Sequence, residues 1–214
     1  MYVGRTEHAM LDSLLVELRE RAKDAARATD MAAQFAQPVP PPLDEPSVRN
    51  VEAALGYALP RLLRKVYLLV ANGGIGPGYG LLPLLPNRSS SEGESILTLY
   101  QGLSSTDPSD PAWSWPRSFL PFCEWGCAIR SCVDCASPEG TVLTFDPGSY
   151  DLGRNMSDAF APTHSSLRSW FADWLSGTEI WGLMFEPDPA RAQTGINPFT
   201  RQPMTLVPNR LRRR

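Results

Sequence analysis

The chain has 214 residues, 43% of them hydrophobic, and a net charge of −3, which suits one well-packed domain and falls short of what two usually need. It contains no apolar run of about 18 residues, and its first stretch, "MYVGRTEHAMLDSLLVELRERAK", is charged throughout its apolar periodicity, so neither a membrane span nor a signal peptide is expected and the cytoplasm is the expected location. The charge is divided: residues 187–214 carry six Arg and one Asp, a +5 tail behind a −8 body.

From residue 7 to 36 an apolar stripe through Leu11, Leu14, Leu15, Leu18 and Ala22 predicts a long amphipathic helix, with Glu17/Arg21 and Glu20/Lys23 on its wet side. Residues 1–36 are assigned to it. The prolines of "QPVPPPLDEP", residues 37–46, cannot continue a helix and read as a linker into a domain over 47–186. There Asp44 or Ser47 is placed to cap a short helix through Leu55, and Pro60 sits where a helix accepts its first residue, opening "PRLLRKVYLLVANGG". Leu62, Leu63, Val66, Leu69 and Val70 form its buried face, and Asn72 and Gly73 tolerate the left-handed conformation that stops it.

The stretch "VANGGIGPGYG", residues 70–80, has glycines at 73, 74, 76, 78 and 80. A dinucleotide loop of the form GxGxxG fails in every frame, since Tyr79 or Leu81 stands where the third glycine belongs. No Lys follows to make a Walker loop, and the segment follows a helix pattern, so the glycines read as backbone geometry. Tyr79, set among them, is the contact candidate.

Downstream, "GESILTLYQGL" has a mixed pattern that leans toward helix. "FLPFCEWGCAIRSCVDC", the turn "SPEG" with Pro138 and Gly140, and the alternating "TVLTFD" predict a β-hairpin. "SSLRSWFADWLSG" puts Leu167, Trp170, Phe171, Trp174 and Leu175 at helical spacing, with Ser165 or Ser166 as cap and Gly177 as stop. From 186 onward five prolines and no periodicity predict a flexible basic tail over 187–214.

Together "LPRLLRKVYLLVANGGIGPG", "FLPFCEWGCAIRSCVDC…EGTVLTFD" and "SLRSWFADWLSG" resemble the SUKH superfamily, which includes fungal cell-wall-assembly regulators and many bacterial immunity proteins. The resemblance spans about residues 46 to 178. It rests on Leu59, Pro60, Asn72, Gly73 and Gly74, supported by Trp174. It implies a single α+β domain, with a mixed or mainly antiparallel sheet packed by helices, that binds proteins without catalysis or cofactor and in bacteria commonly neutralises a toxin. The long first helix, the four cysteines and the basic tail depart from a minimal member.

Cys123, Cys127, Cys132 and Cys135 form C-x3-C-x4-C-x2-C. The four residues between the inner pair cramp a zinc ribbon, whose halves normally lie about 15–20 residues apart, so buried thiols are expected, with Cys123 and Cys127 on one strand face. A metal-binding accessory domain stays the alternative, as does an intracellular regulatory scaffold that docks through the first helix. His164 near Ser165, Ser166 and Asp158 invites a catalytic triad, but those serines stand where a helix needs a cap and no Gly-x-Ser-x-Gly elbow is present. Trp113 and Trp115 lie outside helical stripes and are candidate anchors, with Asp134 and Asp146 as an acidic rim suited to a basic toxin domain. Direct nucleic-acid binding is not expected of the acidic body.

Overall fold

The computed structural model describes residues 3–206 apart from 36, 87–93, 108, 151–154 and 186–188; the terminal run Arg210–Arg214 lies outside the described residues. Its centre is one antiparallel sheet in the order β1 (Phe119–Glu124), β2 (Arg130–Asp134), β3 (Val142–Phe145) and β4 (Phe160–His164). The expected hairpin is β2–β3, turning through Gly140 at φ 67°. The run before it is itself folded: Gly126, Cys127 and Ala128 all have positive φ, and Glu124 pairs with Arg130 across the turn they make. Cys127 therefore lies in a turn and does not share a strand face with Cys123. Nearly every residue of β1, β2 and β3 is buried, because the sheet is covered on both faces; such strands read as apolar runs instead of alternating ones.

Helices α3 (Glu45–Leu55), α4 (Arg61–Leu69), α5 (Ile96–Leu103) and α6 (Leu167–Leu175) pack with the sheet around one core. Their starts follow their capping residues. Asp44 accepts from the Ser47 N–H at 2.9 Å, and Ser166 from the Ser169 N–H at 3.0 Å. Ser95 and Thr98 form a reciprocal capping box, which settles 96–103 as helix. Pro60 is the residue before α4 and not its first, and Leu69, expected on the buried face, is exposed while Tyr67 takes a place in the core. Leu18, Leu63, Val66, Phe122, Trp170 and Phe171 are wholly enclosed, with the rings of Phe122 and Trp170 4.9 Å apart edge to face. The chain is thus a single α+β domain.

Two expectations about whole segments fail as well. The first helix does not continue to residue 36: α1 (Val3–Ala22) ends where the Asp24 carboxylate accepts from the Ala26 N–H at 3.0 Å, a local bond that competes with the helix ladder. Its described side chains begin at Ser13, and Leu14, Leu15 and Leu18 belong to the main core. A short helix α2 (Ala32–Phe35) follows. In the tail, β5 (Gln193–Ile196) and β6 (Pro203–Leu206) form a hairpin whose turn is held by Asn197, which accepts from the Phe199 and Thr200 N–H groups at 2.9 Å each.

Asn72 also has a different part from the one expected. Its φ is not positive; its buried amide accepts from the Leu84 N–H at 2.8 Å and donates to the Leu85 carbonyl at 2.9 Å. The side chain staples the glycine loop to the segment beyond it. Gly73 makes the turn, at φ 86°.

Candidate functional site

The glycine loop is woven between two other stretches. On one side Gly76 N–H donates to the Ala28 carbonyl at 2.9 Å and Met31 N–H to the Gly78 carbonyl at 3.2 Å. On the other, Tyr79 N–H donates to the Glu124 carbonyl at 3.1 Å and Leu82 N–H to the Phe122 carbonyl at 2.9 Å, so the loop runs along the outer edge of β1. Gly78 is where the chains crowd: a Cβ there would stand 2.7 Å from the Trp125 ring and 2.9 Å from the Glu124 carbonyl. Asp30 ties the junction, one oxygen accepting from the Gly78 N–H at 2.9 Å and the other from the Trp174 indole at 3.0 Å.

This weave opens a cleft of about 460 Å³ lined by Arg21, Asp30, Tyr79, Trp125, Glu179 and Trp181, with Trp174 at its floor. The size falls within the usual range for ligand pockets. Tyr79 is 44% exposed and lies over Gly126, where a Cβ would come within 3.2 Å of its ring. Trp181, on α7 (Ile180–Phe185), is 39% exposed and its ring lies 5.9 Å from that of Trp125. The Trp125 indole donates to the Ser131 hydroxyl at 2.9 Å, which fixes the ring. The Arg21 guanidinium stands 4.4 Å from the Trp174 ring centre, a cation held on an aromatic face. Asp30 and Glu179 outnumber Arg21 on the walls, so the cleft favours positive charge.

Behind Tyr79, burial pushes the Glu124 carboxyl above its ordinary value, against the opposing pull of Arg130 3.0 Å away and the Gly126 N–H. A group that holds its proton more tightly folded than unfolded loses stability as rising pH ionises it. Glu124→Gln is therefore expected to raise the melting temperature at about pH 8, by about 2 °C, and to leave it unchanged at about pH 3.5, where the wild-type carboxyl is already protonated. A scan at both pH values checks this; equal shifts at both would show that ionisation is not the cause.

Of the residues read as candidates, Tyr79 and Trp174 meet in the cleft. Trp115 is in the core, 7% exposed, its indole donating to the Phe119 carbonyl at 2.8 Å and its ring edge to face with Phe145 and Phe160. Trp113 is half-buried and donates to the Leu103 carbonyl at 2.7 Å. Neither stands as an exposed anchor. Asp134 is 1% exposed and ion-paired with Arg201, so it is no rim charge; Asp146 accepts from the Gly148 N–H at 2.8 Å and caps a short 3-10 turn. Leu59 and Pro60 are buried at the start of α4, where the Leu59 N–H donates to Glu52 at 2.9 Å. Gly74 packs beside Pro40.

Cys123 and Cys132 are buried and Cys135 half-buried, and burial pushes all three thiols up, while Cys127 is exposed. Among the described residues no three His, Cys, Asp or Glu side chains are grouped to hold a metal ion. His164 contacts Asp173 at 3.3 Å, whereas Ser165 bonds Gln193 at 2.6 Å and Ser166 caps α6; the serines face other partners.

In the sequence Arg21 stands out only as half of a surface charge pair with Glu17, and Asp30, Glu179 and Trp181 do not stand out as site residues. For Trp181 a signal existed, a large aromatic just past the Gly177 helix stop; for Asp30 there was none. Residues 42–173 match the family described as SMI1/KNR4 (SUKH-1). No curated protein matches the chain. The matched span includes Tyr79 and Trp125 and stops one residue short of Trp174.

Proposed function

Because the chain belongs to the SMI1/KNR4 family (SUKH-1), which fits a protein-binding role, we propose that it is a non-catalytic immunity protein that binds and neutralises a cognate toxin in the bacterial cytoplasm. The observation that carries a binding role is the cleft: two large aromatic side chains, Tyr79 and Trp181, stay exposed beside Trp125 in a concave, net-acidic wall. Exposed aromatics in a cleft are the usual anchors of protein interfaces, and the surplus of carboxylates suits a basic partner. Inhibition is by occlusion. The toxin's side chains fill the cleft, the rim covers its working face, and complementary charge speeds the encounter. Among the described residues no helix is long and apolar enough to cross a membrane.

The test is co-expression with the toxin domain encoded beside this chain, read as survival and as an isolable complex. Rescue together with a stoichiometric complex is the expected result. Death of the cells despite good expression, with no complex formed by any adjacent domain, would sink the immunity reading.

A further inference from the structure

A second concavity, about 430 Å³, shares no residue with the aromatic cleft. It lies between the α3–α4 corner at Tyr57, the entry into β1 at Arg117 and Phe119, and the turn of the C-terminal hairpin at Phe199 and Arg201. That hairpin begins twenty residues beyond the matched span.

Its turn is seated in a particular way. Arg201, in the left-handed conformation at φ 60°, reaches into the body, where one guanidinium nitrogen bonds an Asp134 oxygen, a second approaches the other oxygen at 3.4 Å, and the same nitrogen donates to the Ser118 hydroxyl at 3.2 Å. Two residues earlier the Phe199 ring stands edge to face on Phe119 at 5.3 Å and on Phe160 at 6.1 Å. Asp134 is 1% exposed and its other acceptor bond comes from the Ala136 N–H at 3.1 Å. A carboxylate so enclosed needs a cation, and a planar guanidinium beside an aromatic ring is the group that fits.

The seat is built by the sheet and the plug is supplied by the flank. With the turn lifted away, the body would present a carboxylate at the base of a hollow, a hydroxyl beside it and two phenyl edges as walls. The hairpin is fastened at its tip by these contacts and by buried Pro198, and at its base by Gln193, which accepts from the Ser165 N–H at 2.9 Å and hydroxyl at 2.6 Å; between these points every second residue of β5 is exposed, Ile196 is 44% and Phe199 39% exposed, and a two-stranded hairpin is marginal by itself. From these contacts we propose that residues 198–201 are an internal plug on a recognition surface for a turn of another protein, one that places an arginine two residues beyond an aromatic side chain. The partner competes with a tethered segment at an effective concentration on the order of millimolar, so the plug sets a threshold that weak basic ligands do not pass. The surface is separate from the aromatic cleft, and its test needs no toxin.

The probe is a fluorescent, backbone-cyclised peptide of residues 193–206, titrated against the full chain and against the full chain carrying Phe199→Ala and Arg201→Ala. The opened variant is expected to bind the peptide at least about tenfold more tightly than the wild type. An Arg201→Ala peptide, or Asp134→Asn in the opened variant, is expected to remove that gain. Equal binding by the two proteins, or no binding by the opened one, overturns the proposal. Hydrogen exchange on the unaltered chain guards against a variant that fails to fold. The Asn197 and Arg201 amides, which bond within the hairpin turn, are expected to exchange about a hundredfold faster than those of Cys132 and Val133 in β2. Equal rates would show that the hairpin opens only with the whole domain, and the plug would be rejected.

Discussion

Gly73→Ala is expected to lower stability by about 3 kcal/mol and the melting temperature by about 10 °C. Its φ of 86° is already costly for any residue with a side chain, and a Cβ there would stand 2.8 Å from both the Leu81 carbonyl oxygen and the Pro83 nitrogen. Both are backbone atoms. They cannot rotate aside, because Leu82 is bonded to Phe122 and Leu84 to Asn72. Gly102→Ala is the control: it lies in α5 with nothing within 4 Å of an added Cβ, so the change should gain about 0.5 kcal/mol from helix propensity. Thermal melts of the two variants, opposite in sign, check the loop. A Gly73→Ala protein that melts within about a degree of the wild type would mean that the loop packs otherwise.

Trp181→Ala is expected to have the largest effect on partner binding, a loss of about 2–4 kcal/mol, with Tyr79→Ala costing about 2 kcal/mol. Each corresponds to at least a thirtyfold rise in Kd, approximately, read by calorimetry with the co-expressed partner. Both side chains are more than half covered, Trp181 against the Trp125 and Phe185 rings, so each truncation should also lower the melting temperature by a few degrees, roughly, and affinity is compared on the protein that remains folded. Trp115→Ala should behave in the opposite way, costing about 3–5 kcal/mol of stability without altering the affinity of the protein that remains folded. Unchanged affinity in the Trp181→Ala, Tyr79→Ala double variant would place the interface elsewhere on the domain.

The helices were legible because their signals are local: a capping serine or aspartate, a 3.6-residue stripe, a glycine stop. The β2–β3 hairpin was legible for the same reason. What stayed hidden depends on distant parts of the chain. Nothing near Asp30 announces that its carboxylate will meet the Trp174 indole, 144 residues away. Asp134 reads as a surface acid at a strand end until Arg201, 67 residues on, is seen to cover it. Asn72 looks like a helix stop because asparagine tolerates left-handed backbone, yet its amide is used instead to bind two later backbone groups. The hairpin after residue 193 was missed because its prolines masked an asparagine-headed turn, the kind of signal that turn chemistry does provide.

Four stretches of chain meet at the aromatic cleft, and only those around Tyr79 and Trp125 fall within residues 42–173; Arg21 and Asp30 precede that span, and Trp174, Glu179 and Trp181 follow it. A protein trimmed to the span would retain the strands of the sheet and lose most of the cleft's walls. The proposed binding face is thus built chiefly from segments outside the family match, while the sheet that supports it lies inside. Divergence confined to the two flanks could readdress the domain to a new target while leaving the sheet untouched, and transplanting both flanks together is the corresponding route for an engineer.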